Sequence, residues 1–464
     1  MSASTAAAAP KRCDYLILGN SAAGVTAAET IRKNDAEGTI VIVSPEAHAA
    51  YGRPLISYLL EGKTQLERIG YKGAKFYEDL GVNALLGEGW EAVKIDGDAH
   101  EATLANGAII GYGSCLIATG SIPFTPPIEG LAGKKNVCTF MTLDDALQVK
   151  SLAEAARKAA NEQNRESHAI VIGAGLIGLK AAEAISHMVD RVTVLELAPR
   201  ILPAVLDEQG AATLQKMLSK HGIECLPGVS AQAVLGDGDQ AVGAILTNGE
   251  QAGCDFIVAA VGVRPNTAFA VESGAEQGRG LVCDANLMTS LPDVYAAGDV
   301  VQVTDAFSGA QRPLALWPNA VRQGRIAGEH MAGVADAEPF TTGFAVNAVD
   351  FFETSLLTSG TINPPVDDES YQVEVMKDEE AGTYAKFVRK DGKLEGYILL
   401  NRPDRAGIYT ALIENQTPLD TIDPGIFEAT PENLDFSSDA RWARLHKGYP
   451  EALDKRGWKA VDGQ

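Results

Sequence analysis

The chain has 464 residues, a length that suggests about three domains. Its 39 Lys and Arg residues against 61 Asp and Glu residues give a formal net charge of −22, which repels nucleic-acid backbones and anionic membrane surfaces. With 46% hydrophobic and 22% charged residues, the composition is that of an ordinary globular protein, and a disordered chain or a small disulfide-stapled module is excluded.

The cysteines and the N-terminal segment indicate the cellular compartment in which the protein is expected. Six cysteines, at positions 13, 115, 138, 225, 254 and 283, form no CxxC pair. No histidine cluster has metal-ligand spacing, so a disulfide framework, an adjacent dithiol and a metal site are all disfavoured. The first residues are small and polar and precede Lys11 and Arg12, the reverse of the order in a signal peptide. The longest apolar run, residues 256–263, is far below the roughly 20 residues that span a bilayer. We therefore expect a cytoplasmic protein with no membrane span and no nucleic-acid partner.

The first predicted unit is strand, turn, helix, strand. Residues 15–18 are apolar and lead into Gly19, after which small and apolar residues recur at helical spacing, and a second β-branched run follows. Gly19 permits the tight turn, Gly24 permits close helix–strand packing, and the free amides of the helix N-terminus suit a pyrophosphate. Glu46 follows where a ribose-binding acid is expected. Ser21 replaces the middle glycine, a departure that places a hydroxyl where the backbone approaches phosphate.

A second unit of the same kind follows. Residues 168–172 form a buried-strand pattern that opens a complete G-x-G-x-x-G at residues 173–178, and the next strand ends in Glu196. Two fingerprints in this context, each with a terminal acid, make ordinary structural turns a poor explanation. Glu196 can accept hydrogen bonds from a ribose 2′-hydroxyl and repels a 2′-phosphate, which favours NADH over NADPH. Arg200 lies close enough in sequence to leave that preference open.

The later part of the chain has a different pattern. Two further strand-like runs, residues 115–120 and 294–299, contain terminal glycines but by composition are only strand ends. From about residue 347 alternating strands are predicted, with an Asp391-Gly392 hairpin turn, which fits a third, antiparallel domain. From about residue 414 the chain is polar, and it carries a group of basic residues: Arg441, Arg444, Lys447, Lys455, Arg456 and Lys459. This segment is predicted to be an appended tail, either a carrier-binding patch or a dimer clasp.

Taken in order, these motifs resemble the two-dinucleotide flavoproteins of the pyridine nucleotide-disulphide oxidoreductase family, over roughly residues 14–412. The NADH oxidase, rubredoxin reductase and nitrite-reductase-like members are the most similar in appearance. The resemblance implies an α/β fold with two Rossmann-like dinucleotide-binding domains, for FAD and for NAD(H), and a C-terminal α+β interface domain. The implied domains are residues 1–140 (FAD, first part), 141–268 (NAD(H)), 269–345 (FAD, second part), 346–413 (interface) and 414–464 (tail).

The resemblance also assigns cofactor-binding residues. The FAD loop comprises Gly19, Ser21, Ala22, Ala23 and Gly24, with Glu46 after it, and the Arg-Pro flavin segment contributes Arg53 and Pro54. Further FAD contacts are assigned to Ala118, Thr119, Gly120, Gly298 and Asp299. The NAD loop comprises Gly173, Gly175, Leu176, Ile177 and Gly178, with Glu196 after it, and Gly262 lies in the second crossover. Trp317 opens a helix whose positive end would stabilise negative charge at N1 of the reduced flavin. With Phe351 and Phe352 it resembles an aromatic wall near the ring, and the alternative for each Phe is an ordinary buried core residue.

One departure from the family removes a thiol. Members with a single redox cysteine place it shortly after the first strand–helix–strand unit. Aligning the shared ending Leu60-Glu61-Gly62 puts Pro54 at that position. Disulfide reductase, peroxidase and sulfenate-dependent oxidase activities therefore lose their nucleophile.

A second departure exchanges charges. Rubredoxin- and ferredoxin-reductase-like members have a Lys in the Arg-Pro segment that pairs with a Glu after the NAD loop, near flavin N5. In this chain those positions align with Tyr58 and Lys180, and we predict both as catalytic residues. Lys180 would hydrogen-bond flavin or the nicotinamide amide and favour reduced, anionic flavin. The alternative is a solvated lysine in the first turn of a helix.

These observations predict an FAD-dependent NAD(P)H oxidoreductase that passes hydride from NADH to flavin N5. The electrons would go to a small carrier such as rubredoxin or an iron–sulfur protein. One alternative is an NADH oxidase that uses O2 or a small diffusible oxidant. Another is a binding or signalling subunit that NADH switches. Because family members commonly dimerise through the third domain, a homodimer is expected.

Overall fold

The computed structural model describes residues 9–403 and 405–427, which form two compact units. The larger unit is the chain up to Ala204 together with Leu214–Ala345, and the smaller is Val205–Thr213 together with the chain from Val346. The basic residues predicted in the tail, from Arg441 to Lys459, lie outside the described residues.

The elements are numbered in chain order. Up to residue 162 they are β1 (Arg12–Leu18), α1 (Ala22–Asn34), β2 (Ile40–Ser44), α2 (Leu55–Leu60), α3 (Phe76–Asp79), β3 (Val82–Leu86), β4 (Ala92–Asp96), β5 (Glu101–Leu104), β6 (Ile109–Ile117), β7 (Ser121–Pro123), β8 (Val137–Cys138) and α4 (Leu143–Glu162). From there to residue 272 they are β9 (His168–Ile172), α5 (Leu176–Ser186), β10 (Arg191–Glu196), α6 (Glu208–Lys220), β11 (Ile223–Pro227), β12 (Ala231–Asp237), β13 (Gln240–Leu246), β14 (Gln251–Gly253), β15 (Phe256–Ala259), β16 (Val263–Pro265) and α7 (Ala268–Glu272). The last are β17 (Val294–Ala296), β18 (Gln302–Thr304), β19 (Gln311–Pro313), α8 (Trp317–Met331), β20 (Val346–Phe351), β21 (Thr354–Gly360), β22 (Tyr371–Asp378), β23 (Thr383–Lys390), β24 (Lys393–Leu400) and α9 (Ala406–Glu414).

The first sheet of the larger unit has the strand order β3-β2-β1-β6-β5-β4, and β17 also pairs with β6. The pairs of β1 with β2 and with β6 are parallel, whereas β4, β5 and β6 pair antiparallel. Every residue of β2 is buried, as expected of a parallel strand covered on both faces. Leu18 pairs with both Val43 and Ile117, so the carboxyl ends of three strands meet at one edge, next to Gly19. In open parallel sheets this edge is where ligands bind.

The second sheet of the larger unit has the strand order β11-β10-β9-β15-β8, and its pairs are parallel. Ile172, the last residue of β9, pairs with Leu195 and with Ala259. The loop after β9 and Glu196 at the end of β10 therefore lie at the same edge. A separate antiparallel sheet, β12-β13-β14, was not predicted from the sequence.

Helices α1 and α8 pack closely because two glycines of α8 lie directly against the backbone of α1. A Cβ at Gly324 would collide with the carbonyl group of Ala23, and one at Gly328 would lie 2.9 Å from the carbonyl oxygen of Ala27. Small residues on both helices allow the backbones to approach. This packing fixes the N-terminus of α8 beside the first strand–helix unit.

The smaller unit contains an antiparallel sheet with the order β20-β21-β24-β23-β22, together with α9. Its core includes the rings of Phe387, Tyr397, Tyr409 and Phe427, whose centroids lie 4.9–5.9 Å apart in the contacting pairs. The predicted α/β class, with two Rossmann-like sheets and a C-terminal α+β part, is confirmed. The finer domain boundaries stay predictions. Within the described residues no helix is both long and apolar enough to cross a membrane.

Candidate dinucleotide and flavin site

The first glycine loop has the backbone that a phosphate requires. Gly19 has φ = +128°, and a Cβ there would overlap the carbonyl oxygen of Ala118, so only glycine fits. A Cβ at Gly24 would overlap the carbonyl oxygen of Gly19. Ser21 occupies the N-cap position of α1, but among the described residues no side chain accepts a capping hydrogen bond there. The first turn of α1 contains no acidic residue. The backbone N–H groups in the first turn of α1, at the buried Ala22 and Ala23, are therefore available to bind an anion.

The second loop repeats this geometry with more space. Gly173 has φ = +104°, and a Cβ at Gly178 would overlap its carbonyl oxygen. Gly175 is the N-cap of α5, and no described atom lies within 4 Å of the position a Cβ would take there. Leu176 and Ile177 form the first turn, and Ile177 is exposed. The open space at Gly175 fits a pyrophosphate that approaches the backbone.

Glu196 holds the second loop. Its carboxylate accepts hydrogen bonds from the backbone N–H groups of Ala174 and Ala198, both at 2.7 Å. A carboxylate has about four acceptor positions, so ribose hydroxyls can still bind to it. Arg200 donates to the carbonyl oxygen of Pro203 at 3.3 Å.

Glu46 lies in a network of its own. Arg53 forms an ion pair with one of its oxygens, and the Tyr51 hydroxyl donates to the other at 2.6 Å. Burial raises the pKa of Tyr51, which keeps its proton available for this bond. The Tyr51 oxygen in turn accepts a hydrogen bond from the backbone N–H of Leu143 at 2.9 Å. Tyr51 thus joins the predicted acid to the start of α4, a role that the sequence analysis missed. Pro54 is the N-cap of α2.

Several other predicted cofactor-binding residues lie near the end of β6. Gly120 has φ = +66°, and the Thr119 hydroxyl donates to the carbonyl oxygen of Asn266 at 2.9 Å. Ala118 is buried, and Gly262 has φ = +124° with open space around it. Burial raises the pKa of Asp299, which accepts a 3.4 Å hydrogen bond from the Ser121 hydroxyl.

Gly298 and Trp317 are placed by residues that the sequence analysis missed. Gly298 has φ = +86°, and its N–H donates to the side-chain oxygen of the buried Gln323 at 2.7 Å. The only signal in the sequence was a glutamine among the apolar positions of α8. Trp317 begins α8, and its ring meets Tyr71 edge-on with centroids 4.8 Å apart. Phe351 is completely buried in the smaller unit, where Phe352 has φ = +52°.

Lys180 and Tyr58, the two predicted catalytic residues, lie close together, and the lysine contacts acids that were not predicted. The Lys180 ammonium lies 5.0 Å from the centroid of the Tyr58 ring. It also lies 2.5 Å from a carboxylate oxygen of Glu183 and 3.2 Å from one of Glu61. The Lys63 ammonium lies 2.5 Å from the other Glu61 oxygen and 3.8 Å from Glu183. Glu61, Lys63, Lys180 and Glu183 are called the four-charge cluster below.

Burial differs sharply within the four-charge cluster. Both carboxylate side chains are fully buried, Lys180 is 12% exposed and Lys63 is 49% exposed. The Glu61 oxygens contact the lysines as ion pairs, since neither forms a hydrogen bond of regular geometry within the described chain. The contact with Glu61 raises the pKa of Lys63. Lys180 is thus a paired and largely buried lysine, and the solvated alternative does not describe it.

The six thiols are poorly suited to act as nucleophiles. Cys13, Cys115, Cys138 and Cys225 are buried, and Cys254 and Cys283 are partly buried. Burial raises the pKa of each thiol, to about 12 for Cys13, Cys138, Cys225, Cys254 and Cys283 and well above its usual value for Cys115. A thiolate nucleophile at neutral pH is therefore disfavoured at every cysteine.

Comparison with known proteins decides the family. The family model described as pyridine nucleotide-disulphide oxidoreductase matches residues 13–324. This chain belongs to that family. Among similar proteins, subunit epsilon of the NADH-dependent phenylglyoxylate dehydrogenase of Aromatoleum evansii is 31% identical over 410 residues, which are 87% of this chain and 92% of that one.

Two further relatives extend the comparison. The nitrite reductase [NAD(P)H] of Bacillus subtilis is 28% identical over 407 residues, 87% of this chain, but the chain spans only 47% of that relative's length. The solved structure of a ferredoxin reductase from Rhodopseudomonas palustris is 27% identical, with a TM-score of 0.74 over 86% of this chain and 93% of that one. As a member of the family, this oxidoreductase uses FAD and NAD(P)H, and the two glycine loops fit those cofactors.

Proposed function

We propose that this oxidoreductase takes hydride from NADH and passes the electrons to a small redox carrier protein, such as a rubredoxin or an iron–sulfur protein. Bound FAD supplies the chemistry by accepting hydride from NADH and later releasing two electrons and a proton. The observation that carries the proposal is the pair of glycine loops, each with open helix amides, in a chain whose cysteines are all buried or partly buried and have raised pKa values. Such a site needs no side-chain nucleophile.

The residues have separate roles in this proposal. The loop at Gly19 and the N-terminus of α1 bind the FAD pyrophosphate, with Asp299 toward the ribityl chain. The loop at Gly173 and the N-terminus of α5 bind the pyrophosphate of NADH, and Glu196 binds its ribose. Lys180, a member of the four-charge cluster, and the adjacent Tyr58 act on the flavin or nicotinamide. The positive end of α8, beginning at Trp317, favours negative charge on the flavin.

Two relatives support a protein acceptor. One is by name a subunit of an NADH-dependent dehydrogenase, and another is by name a ferredoxin reductase. The first name places that relative in a multi-subunit enzyme that depends on NADH, and the second names a ferredoxin as the redox partner of that relative. We also propose that the protein is cytoplasmic and forms a homodimer. Sedimentation of the purified protein tests the homodimer, and a measured mass of one chain contradicts it.

An anaerobic titration tests the proposal. NADH is added to the purified yellow protein while flavin absorbance is followed, and the reduced protein is then mixed with rubredoxin, with a ferredoxin or with air. We expect complete bleaching by NADH, rapid reoxidation by a carrier and slow reoxidation by air. Rapid reaction with air alone identifies an NADH oxidase. A long-lived reduced complex that no acceptor reoxidises identifies a signalling subunit, and failure of NADH to bleach the flavin contradicts the proposal.

A further inference from the structure

The four-charge cluster joins the flavin segment to the NAD loop. Glu61 is the C-cap of α2, and Lys63 follows two residues later, whereas Lys180 and Glu183 lie one turn apart on α5. Helix α2 begins directly after Arg53 and Pro54, and α5 begins at Gly175. Each segment therefore contributes one acid and one lysine to the boundary between the two predicted cofactor sites.

The pairing crosses between the segments. Lys180 reaches Glu61 at 3.2 Å, and Lys63 reaches Glu183 at 3.8 Å, in addition to the shorter contacts of 2.5 Å within each segment. Burying a carboxylate costs several kcal/mol unless a positive group compensates it. Two fully buried carboxylates with two ammonium groups sum to zero charge. A single solvated ion pair on one helix would not need charge-balancing partners from a second segment.

The balance explains how a lysine can stand at position 180, where the resemblance to rubredoxin- and ferredoxin-reductase-like members implies an acid. An unpaired ammonium there would add a positive charge beside both cofactors. The buried Glu61 and Glu183 contact that ammonium from two sides, and the ring of Tyr58 lies against it. The net charge at this boundary thus depends on all four residues and not on Lys180 alone.

We infer that Glu61 and Glu183 are positioning residues that hold Lys180 and cancel its charge, so that the four-charge cluster presents no net charge to the flavin. This inference rests on the proposed function, because it takes FAD to bind beside α2. It has a directional consequence. Removing one acid leaves a net positive cluster that stabilises the negative charge reduction places on the flavin, and removing one lysine does the opposite.

The test measures the midpoint potential of bound flavin by chemical reduction against a reference dye, so that NADH is not required. We expect Glu61→Gln to raise the potential and Lys180→Met to lower it, each by about 30 mV, which is a tenfold change in the equilibrium constant of a two-electron couple. The double variant restores a neutral cluster, and its potential should return to that of the unmodified protein. A merely structural role gives no such opposite signs and no compensation.

Three matched variants complete the design. Glu183→Gln makes the same charge change as Glu61→Gln and should raise the potential even if the latter fails to fold. Lys63→Met should lower the potential less than Lys180→Met, because water screens a side chain that is 49% exposed. Asp239→Asn, at an exposed ion pair with Lys135, should leave it unchanged.

The outcomes distinguish failure of this inference from failure of the proposed function. If the acid and lysine variants shift the potential in the same direction, or not at all, the inference is overturned while the proposed function stands. If the unmodified protein binds no FAD, or NADH does not reduce it, the proposed function fails. Opposite shifts that cancel in the double variant support the inference.

Discussion

At the scale of single residues, Glu196 makes the most direct prediction. Its carboxylate ends β10 and binds two backbone N–H groups of the NAD loop region. Glu196→Arg removes the acceptor for the ribose hydroxyls and places a cation where a 2′-phosphate would lie. We expect kcat/KM for NADH to fall by about tenfold or more, since a hydrogen bond to a charged group contributes roughly 1.5–3 kcal/mol. The value for NADPH should rise.

The control makes the same charge change one strand away. Glu224 lies on β11 and pairs with Arg191 at 2.6 Å, and its side chain is 48% exposed. Glu224→Arg should leave the ratio of NADH to NADPH activity unchanged. If Glu196→Arg also keeps the original ratio, Glu196 has no part in binding the ribose.

The position of a single residue could be predicted from the sequence where motif spacing alone determines it. It could not be predicted where it depends on tertiary contacts. Glycines at 19, 24, 173 and 178 could be identified because backbone geometry excludes other residues there. Glu61 and Glu183 could not, because local spacing can place an acid beside a lysine on a helix but does not show that the pair is buried. The spacing of Lys180 and Glu183, three residues apart on one helix, was the available signal. The contact with Glu61 depends on how α2 meets α5.

At the scale of elements, the NAD loop predicts a separation of binding from stability. Gly175 has φ = −76°, which any residue adopts, and no described atom would contact an added Cβ. Gly175→Ala should therefore change the free energy of unfolding by no more than about 0.5 kcal/mol. Its methyl group would nevertheless occupy the space of the pyrophosphate. We expect the Kd for NADH, measured by fluorescence titration, to rise at least about tenfold, equivalent to about 1.4 kcal/mol.

Gly178→Ala is the matched variant within the same turn. Its Cβ would overlap the carbonyl oxygen of Gly173, so the loop and α5 must move apart. Overpacking of this kind costs roughly 1–3 kcal/mol, and thermal unfolding should show it. Normal NADH affinity in Gly175→Ala would mean that the pyrophosphate lies elsewhere.

The smaller unit gives a pH-dependent prediction. Burial alone would raise the pKa of Asp207, but hydrogen bonds from Tyr384 at 2.6 Å, the Gly210 N–H at 2.9 Å and Lys386 at 2.9 Å lower it below its usual value. A lowered pKa in the folded state stabilises the protein above the unfolded pKa, near 3.9, and this stability is lost as the pH falls through the folded pKa. Asp207→Asn should cost about 2 kcal/mol at pH 7. The difference should shrink below about pH 4.

Urea unfolding between pH 3 and 7 measures this difference. Asp391→Asn, in the exposed turn between β23 and β24, is the control, and its unfolding curve should run parallel to that of the unmodified protein. A difference between Asp207→Asn and the unmodified protein that stays constant with pH would show that the carboxylate charge does not matter.

The elements themselves were largely predictable where one period dominates. The helix predicted to open at Trp317 begins there, and β22, β23 and β24 lie in the region where alternating strands are predicted, with Asp391 and Gly392 in the turn between the last two. The β12-β13-β14 sheet was missed because its strands mix buried with exposed positions without a regular alternation. Partner strands, and not local pattern, stabilise such strands.

At the scale of the whole molecule, the net charge of −22 bears on the acceptor. Two proteins of like charge repel during encounter, and salt screens this repulsion over a Debye length of about 8 Å at physiological ionic strength. If the acceptor is an acidic carrier, its second-order rate constant for reoxidising the reduced protein should rise with salt. Stopped-flow measurement between low and high salt tests this, with O2, which is uncharged, as the control oxidant. A rate that falls with salt would instead indicate that a local basic surface, and not the net charge, governs docking of the carrier.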